Sequence, residues 1–144
     1  MNTSLGCSGK PELHESSRPR VVIAEDFVLI QESIRLLVQL ECDVVAAVED
    51  GTAALAAVAE HNPDLLLMDI SLSDMSGFVV AEKLKAIGSL VRVVFVTAHR
   101  EQVYVRRAFD IGAVAYVLKG SIRSQLLPAI RSAMQGGTFC SVMT

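Results

Sequence analysis

Five residues stand out as able to do chemistry together. They are the acidic pair Glu25-Asp26, then Asp69, Thr97 and Lys119. Each comes at the end of a short apolar run, and four different runs are involved. Three carboxylates brought to adjacent chain ends repel one another strongly unless a cation lies among them. A hard divalent ion with oxygen ligands answers that need. Mg²⁺ binds through one or two carboxylates, waters and a phosphate. Lys119 adds a compact positive charge and Thr97 a hydroxyl, and together they could hold the oxygens of a phosphoryl group. Singly, each residue has a plainer reading. A strand-end Asp forms turns or caps helices, a strand-end Thr satisfies backbone groups, and a Lys is solvated. The joint placement of complementary charges favours a site.

The elements that must position these residues alternate. Strand-like runs fall at Val21–Ala24, Val44–Val48, Leu65–Met68, Val91–Val96 and Val114–Leu118. Most are continuously apolar, the pattern of strands covered on both faces in a parallel sheet. Helical segments lie between and after them. Phe27–Leu40 places Ile30, Ile34, Leu37 and Val38 on one face and Gln31, Glu32 and Arg35 opposite. Thr52–His61 follows Asp50-Gly51 and stops at Asn62-Pro63. Gly77–Ile87 and Glu101–Ile111 each end beside a glycine, Gly88 and Gly112. The last helix, about Ile122–Met134, buries Ile122, Leu126, Ile130 and Ala133 and contains Pro128, so it either starts near Ser124 or bends. Five βα units in this span predict one doubly wound, three-layer α/β domain. Right-handed crossovers then place the ligand crevice at the carboxyl ends of the strands, where the five residues fall.

Composition narrows the function classes. At 144 residues the chain is one domain, long enough to bury roughly 70% of its unfolded surface. Half of it is apolar, which rules out a wholly disordered chain. The longest apolar run, Ala53–Ala59, is far short of a membrane span. The net charge of −3 and scattered basic residues, with only Arg106-Arg107 adjacent, argue against nucleic-acid binding through this chain. Cys7, Cys42 and Cys140 are odd in number and widely spaced, so neither a disulfide framework nor a zinc site is expected. Cys42 reads as a small buried residue. Residues 1–19 lack the apolar segment of a secretory signal and read as a flexible leader. These features point to a reducing, cytoplasmic setting. The domain is expected over 20–138, with 139–144 as a tail or the start of a linker.

The stretches VVIAEDF (21–27), VEDGTAAL (48–55), PDLLLMDISLSDMSGF (63–78), VVFVTAH (93–99), GAVAYVLKG (112–120) and AIRSAMQGGTF (129–139) resemble the receiver domain of two-component response regulators. The Lys119 segment without proline and the Gly-Gly-Thr ending are most similar to the NarL/FixJ class. The resemblance implies a flavodoxin-like (βα)5 fold, with a five-stranded parallel sheet in the order 2-1-3-4-5 and helices on both faces. It implies that Asp69 is the phosphoacceptor, attacking the phosphohistidine of a sensor histidine kinase or phosphotransfer protein. Asp26, Asp69 and the Ser71 carbonyl would ligate Mg²⁺, with Glu25 acting through a water. Thr97 and Lys119 would hold the phosphoryl oxygens. Such a domain is no conventional enzyme, but it assists its own phosphoryl transfer and autodephosphorylation. On phosphorylation Thr97 would be drawn to the phosphoryl group and Tyr116 would move inward, switching the surface of helix four, strand five and helix five. Tyr116 otherwise reads as a half-exposed sheet aromatic. His99 would either control water access or be a plain exposed polar residue.

Several positions depart from the family pattern. Ser73 stands where proline is usual, Ser76 where an acidic residue is common, and Gly120 where many receivers have proline. The Lys119–Gly120 bond is expected to be trans. Other classes fail on specific residues. An aspartate-nucleophile phosphatase needs a second Asp at Ser71, and neither a P-loop nor a Gly-x-Gly-x-x-Gly turn is present. The surviving alternative is a receiver-like interaction module that works without phosphorylation. A homodimer through the first or last helices, with exposed positions such as Val103 and Ile122, is expected on phosphorylation. Resemblance to this class implies a DNA-binding output domain following in a parent protein.

Overall fold

The computed structural model describes residues 18–141. Among the described residues, six strands and five helices run in order: β1 Arg20–Ala24, α1 Val28–Val38, β2 Asp43–Val48, α2 Gly51–His61, β3 Leu65–Met68, α3 Gly77–Ala86, β4 Arg92–Thr97, α4 Gln102–Ile111, β5 Ala115–Leu118, α5 Ile122–Met134 and β6 Phe139–Cys140. A short 3₁₀ turn, Lys119–Ser121, joins β5 to α5. The sheet order is β2-β1-β3-β4-β5-β6, and every pairing is parallel. The first five strands therefore have the expected order, and each crossover passes through a helix.

Side chains on successive strand residues point to opposite faces, and two separate cores result. Val21, Ile23, Leu65, Leu67, Val94, Val96 and Val117 pack with Ile34 and Val38 of α1 and Leu126 and Ile130 of α5. Val22, Ala24, Leu66, Met68, Phe95 and Tyr116 pack with α2, α3 and α4 through Ala54, Val80 and Ala108. This is why the central strands are apolar through their middles. Both faces are covered there, and only the entry residues Arg20 and Arg92 reach solvent.

Local rules set the helix ends. Asp50 caps α2, its side chain accepting the Ala53 N–H at 2.8 Å. Ser76 caps α3 by accepting the Phe78 N–H at 3.0 Å, so the hydroxyl takes over the capping work expected of an acidic residue there. Gly112 ends α4 at φ +108°, a conformation that costs a residue with a Cβ much more than glycine. Helix α5 begins at Ile122, not near Ser124, and carries Pro128 inside it. Pro128 is exposed, so the Ser124 carbonyl that it cannot serve lies on the water side. No described peptide bond is cis, and Lys119–Gly120 is trans as expected.

Three expectations are corrected. The segment after residue 138 is no simple tail. Phe139 and Cys140 form a sixth strand alongside β5, with the Phe139 N–H donating to Val114 O at 3.1 Å. Beyond it the Ser141 N–H donates to Tyr116 O at 2.9 Å, and Ser141 Oγ accepts the Leu118 N–H at 2.8 Å. Two residues are too short to show an alternating pattern, which is why the strand is not legible in the sequence. Second, Ile122 is buried in the α1/α5 core, as the apolar face of the last helix predicts, so it offers no exposed face for pairing; Val103 is exposed. Third, Arg18 and Pro19 belong to the fold. The Arg18 guanidinium donates to Asp43 Oδ1 and to the carbonyls of Gln39 and Cys42, each at 2.9 Å. The rest of the leader, with Cys7, lies outside the described residues. Cys42 is buried as expected, and burial pushes its thiol up to about 11.

Candidate functional site

The site is built from strand ends. Ala24 closes β1, and Glu25 and Asp26 follow at once in the loop to α1. Met68 closes β3 and Asp69 follows. Thr97 is the last residue of β4, one position inside the strand and not beyond it. Leu118 closes β5, and Lys119 opens the 3₁₀ turn. Parallel register between β1, β3, β4 and β5 brings these ends to one edge.

Glu25, Asp26 and Asp69 each offer a carboxylate oxygen, and these oxygens lie within 4.8 Å of one another. Lys119 Nζ sits 2.9 Å from both Asp69 Oδ2 and Glu25 Oε1. The contact to Asp69 is a hydrogen bond. The contact to Glu25 Oε1 is an ion pair without hydrogen-bond alignment, and that buried oxygen accepts no hydrogen bond. Glu25 Oε2 accepts the Phe27 N–H at 3.0 Å. Burial pushes the Glu25 carboxyl above its ordinary value, with Lys119 and the Phe27 N–H offsetting part of that. Burial also works against the Lys119 charge, but the two carboxylates outweigh it and raise the ammonium above the usual lysine range.

Three carboxylates thus face one ammonium. Their donors are all hard oxygens, one of them buried and lacking a hydrogen bond. The residues present fit a hard divalent cation.

Gly77 sets how closely α3 approaches Asp69. Its N–H donates to Ile70 O at 2.7 Å. A Cβ added there would lie 2.3 Å from the Asp69 carbonyl oxygen. The loop between them, residues 70–76, carries Asp74, whose carboxylate reaches across to the start of α2. It accepts the Gly51 N–H at 2.7 Å, the Thr52 N–H at 2.9 Å and the Thr52 hydroxyl at 2.7 Å. Those bonds, led by the Thr52 hydroxyl, hold Asp74 down at about 2. The group is depressed in the fold, so its stabilisation is present above the unfolded value of 3.8 and is lost as pH falls toward about 2. Asp74→Asn should therefore be less stable than the parent at pH 6, and the gap should close near pH 2. Denaturant midpoints across that range check it, and a gap constant with pH would contradict it.

The remaining residues gather round His99. Its N–H donates to Thr97 Oγ1 at 3.3 Å, its ring Nε2 is 3.0 Å from Ser71 Oγ, and its ring stacks on Tyr104 at 4.4 Å. Tyr104 stacks in turn on Phe78, and the Arg107 guanidinium lies over the other ring at 4.8 Å from the Phe78 centroid. His99 is half-buried and engaged, not a plain exposed residue. Tyr116 is fully buried, and its hydroxyl donates to the His99 carbonyl at 2.9 Å. Burial pushes that hydroxyl far above the ordinary tyrosine value. The half-exposed reading of Tyr116 is thereby corrected: β6 and α4 flank its strand, and the ring already lies inside.

Gln31 was not singled out by sequence. Helical periodicity assigns it to the polar face, yet it is half-buried, and its amide donates to Glu25 O at 3.0 Å and to Val48 O at 2.8 Å. Its partners lie on other elements, where periodicity carries no signal.

With this geometry the chain belongs to the response regulator receiver domain family, whose model matches residues 21–131. It is a NarL-class receiver, a phospho-acceptor signalling domain. It is 30% identical to the oxygen regulatory protein NreC of Staphylococcus epidermidis over 83% of this chain and 56% of that protein. It is 32% identical to the transcriptional regulatory protein DegU of Brevibacillus brevis over 83% of this chain and 52% of that one. The chain thus spans about half the length of these relatives. The signal receiver domain of NarL from Mycobacterium tuberculosis superposes with a TM-score of 0.79 at 31% identity, covering 83% of this chain and 98% of that domain.

Proposed function

We propose that Asp69 is the phosphoryl acceptor of this receiver and that Mg²⁺ is its metal. The observation that carries the reading is the ion cluster itself: three carboxylates, one with a buried oxygen lacking a hydrogen bond, around a single lysine at 2.9 Å from two of them. Asp26, Asp69 and the Ser71 carbonyl would hold the ion, and Glu25 would act through a water. The metal supplies charge neutralisation for an in-line phosphoryl transfer.

This chain's residues do the rest. Asp69 presents a carboxylate oxygen as nucleophile to a phosphohistidine of a sensor kinase or phosphotransfer protein. Lys119, already at Asp69, neutralises the charge that the phosphoryl oxygens bring. The Thr97 hydroxyl donates to a phosphoryl oxygen and leaves the His99 N–H. His99 and Ser71 form the rim past which water must reach the acyl phosphate. Because Tyr116 is already inside, the switch requires only a shift of its hydrogen bond to the β4–α4 loop, and the surface of α4, β5 and α5 is biased from there.

The domain is best described as residues 18–141, acting in the cytoplasm. Among the described residues no helix is long and apolar enough to cross a membrane. By analogy with its relatives, the parent protein regulates transcription through a DNA-binding output domain. A homodimer formed on phosphorylation would use α1, which exposes Leu29 and Leu36, with Leu40 exposed just past its end. A phosphorylation-independent module has no observation in its favour.

Calorimetric titration tests the metal reading. The parent should bind one Mg²⁺, and Asp26→Asn should weaken it by about tenfold or more. Equal binding by the two proteins, or none by the parent, would overturn it.

A further inference from the structure

We infer that Gln31 is a positioning residue for the acidic pair, holding the backbone that aims Glu25 and Asp26 at the metal. The inference rests on the Mg²⁺ reading above and deepens it. The Gln31 amide has two hydrogens, and both are used: one meets Glu25 O at 3.0 Å and the other Val48 O at 2.8 Å. Both partners are carbonyl oxygens, so only the NH₂ end of the side chain can face them. Val48 O also accepts the Glu25 N–H at 3.0 Å. The end of β2, the Glu25 backbone and α1 are thereby joined at one point.

The Glu25 carbonyl belongs to the peptide unit that leads into Asp26. Fixing its direction fixes the ψ torsion of Glu25 and the φ torsion of Asp26, the rotations that aim the two carboxylates. Little else restrains this loop. Asp26 is exposed, Phe27 is the N-cap of α1 without a side-chain cap bond, and Phe27 and Val28 are both exposed. The Phe27 N–H to Glu25 Oε2 bond runs within the loop itself, and the Glu25 N–H to Val48 O bond holds the residue's amino side but leaves its carbonyl side free. Gln31 is the side chain that ties the Glu25 carbonyl to the end of β2. Outer groups that hold metal ligands in place commonly matter tenfold or more to affinity.

Two variants remove the clamp. Gln31→Met keeps the length and removes both donors; Gln31→Asn keeps the amide on a stem one carbon too short to reach both carbonyls. Mg²⁺ titration by calorimetry should show affinity about tenfold weaker for each. The rate of phosphorylation by acetyl phosphate at saturating Mg²⁺ should stay within about twofold of the parent, with only the Mg²⁺ requirement raised. A merely structural role would instead lower the melting temperature in chelator and leave Mg²⁺ affinity unchanged. That pattern, or parent-like Mg²⁺ binding by both variants, would overturn the inference. If the parent itself binds no Mg²⁺, the metal reading fails first and is distinguished from this one.

Discussion

Lys119→Met should fold poorly in chelator and recover when Mg²⁺ is added. The ammonium is the one cation within ion-pair distance of Glu25 and Asp69 among the described residues, and those carboxylates are 1% and 5% exposed. Removing one partner of a buried ionic group commonly costs about 3–5 kcal/mol, because the remaining charge is uncompensated. The pH dependence has a definite sign. Burial already raises Glu25 in the fold above its unfolded value of 4.5, so its ionisation costs stability as pH rises through the folded value. Without Lys119 that cost grows, and the variant should lose more stability between pH 5 and 8 than the parent. In the parent, Lys119 is raised above 10.5, so its own contribution holds below that value and is lost only as pH rises beyond it. A bound ion at a hundred times its dissociation constant returns about 2.7 kcal/mol. Phosphorylation should still fall by about 10²–10³, since a metal does not replace the lost donor. Denaturant unfolding with and without Mg²⁺ checks this. Parent-like stability in chelator would show that the cluster is not held by charge.

Gly77→Ala should disable the site from behind. The added methyl would meet the Asp69 carbonyl oxygen at 2.3 Å and Ile70 Cα at 3.1 Å. Both are backbone atoms, so no side chain can swing aside. Either α3 backs away from β3 or Asp69 moves. Overpacking of this kind costs about 1–3 kcal/mol, and a displacement of about 1 Å at a reacting group can cost about 10²-fold in rate. Gly120→Ala is the matched control, because a Cβ there meets nothing within 4 Å. Melting temperature and acetyl-phosphate labelling rate should both drop for Gly77→Ala and stay near parent for Gly120→Ala. Equal behaviour of the two variants would contradict the close approach.

Much of this was legible in the sequence. The strand-end residues Glu25, Asp26, Asp69 and Lys119 emerge because parallel strands buried on both faces are continuously apolar, and the first polar residue marks the end. Thr97 is displaced by one position because a Thr sits comfortably inside a strand. Helix α5 matches its expected bounds at both ends. What was hidden depends on contacts between distant segments. Gln31 obeys the helical polar face while bonding to the sheet, and Asp74 looks like a loop residue while bonding to α2. Tyr116 looks half-exposed until β6 is seen beside β5. Ile122 lies inside, as the apolar face of α5 predicts, and so cannot also serve as an exposed pairing position.

The most direct test of the central claim is the intact mass after incubation with acetyl phosphate and Mg²⁺, run beside Asp69→Asn and a chelator control. The proposed chemistry predicts one phosphoryl increment, labile to base, in the parent alone. No increment, or one that survives in Asp69→Asn, would contradict the assignment of Asp69 as acceptor.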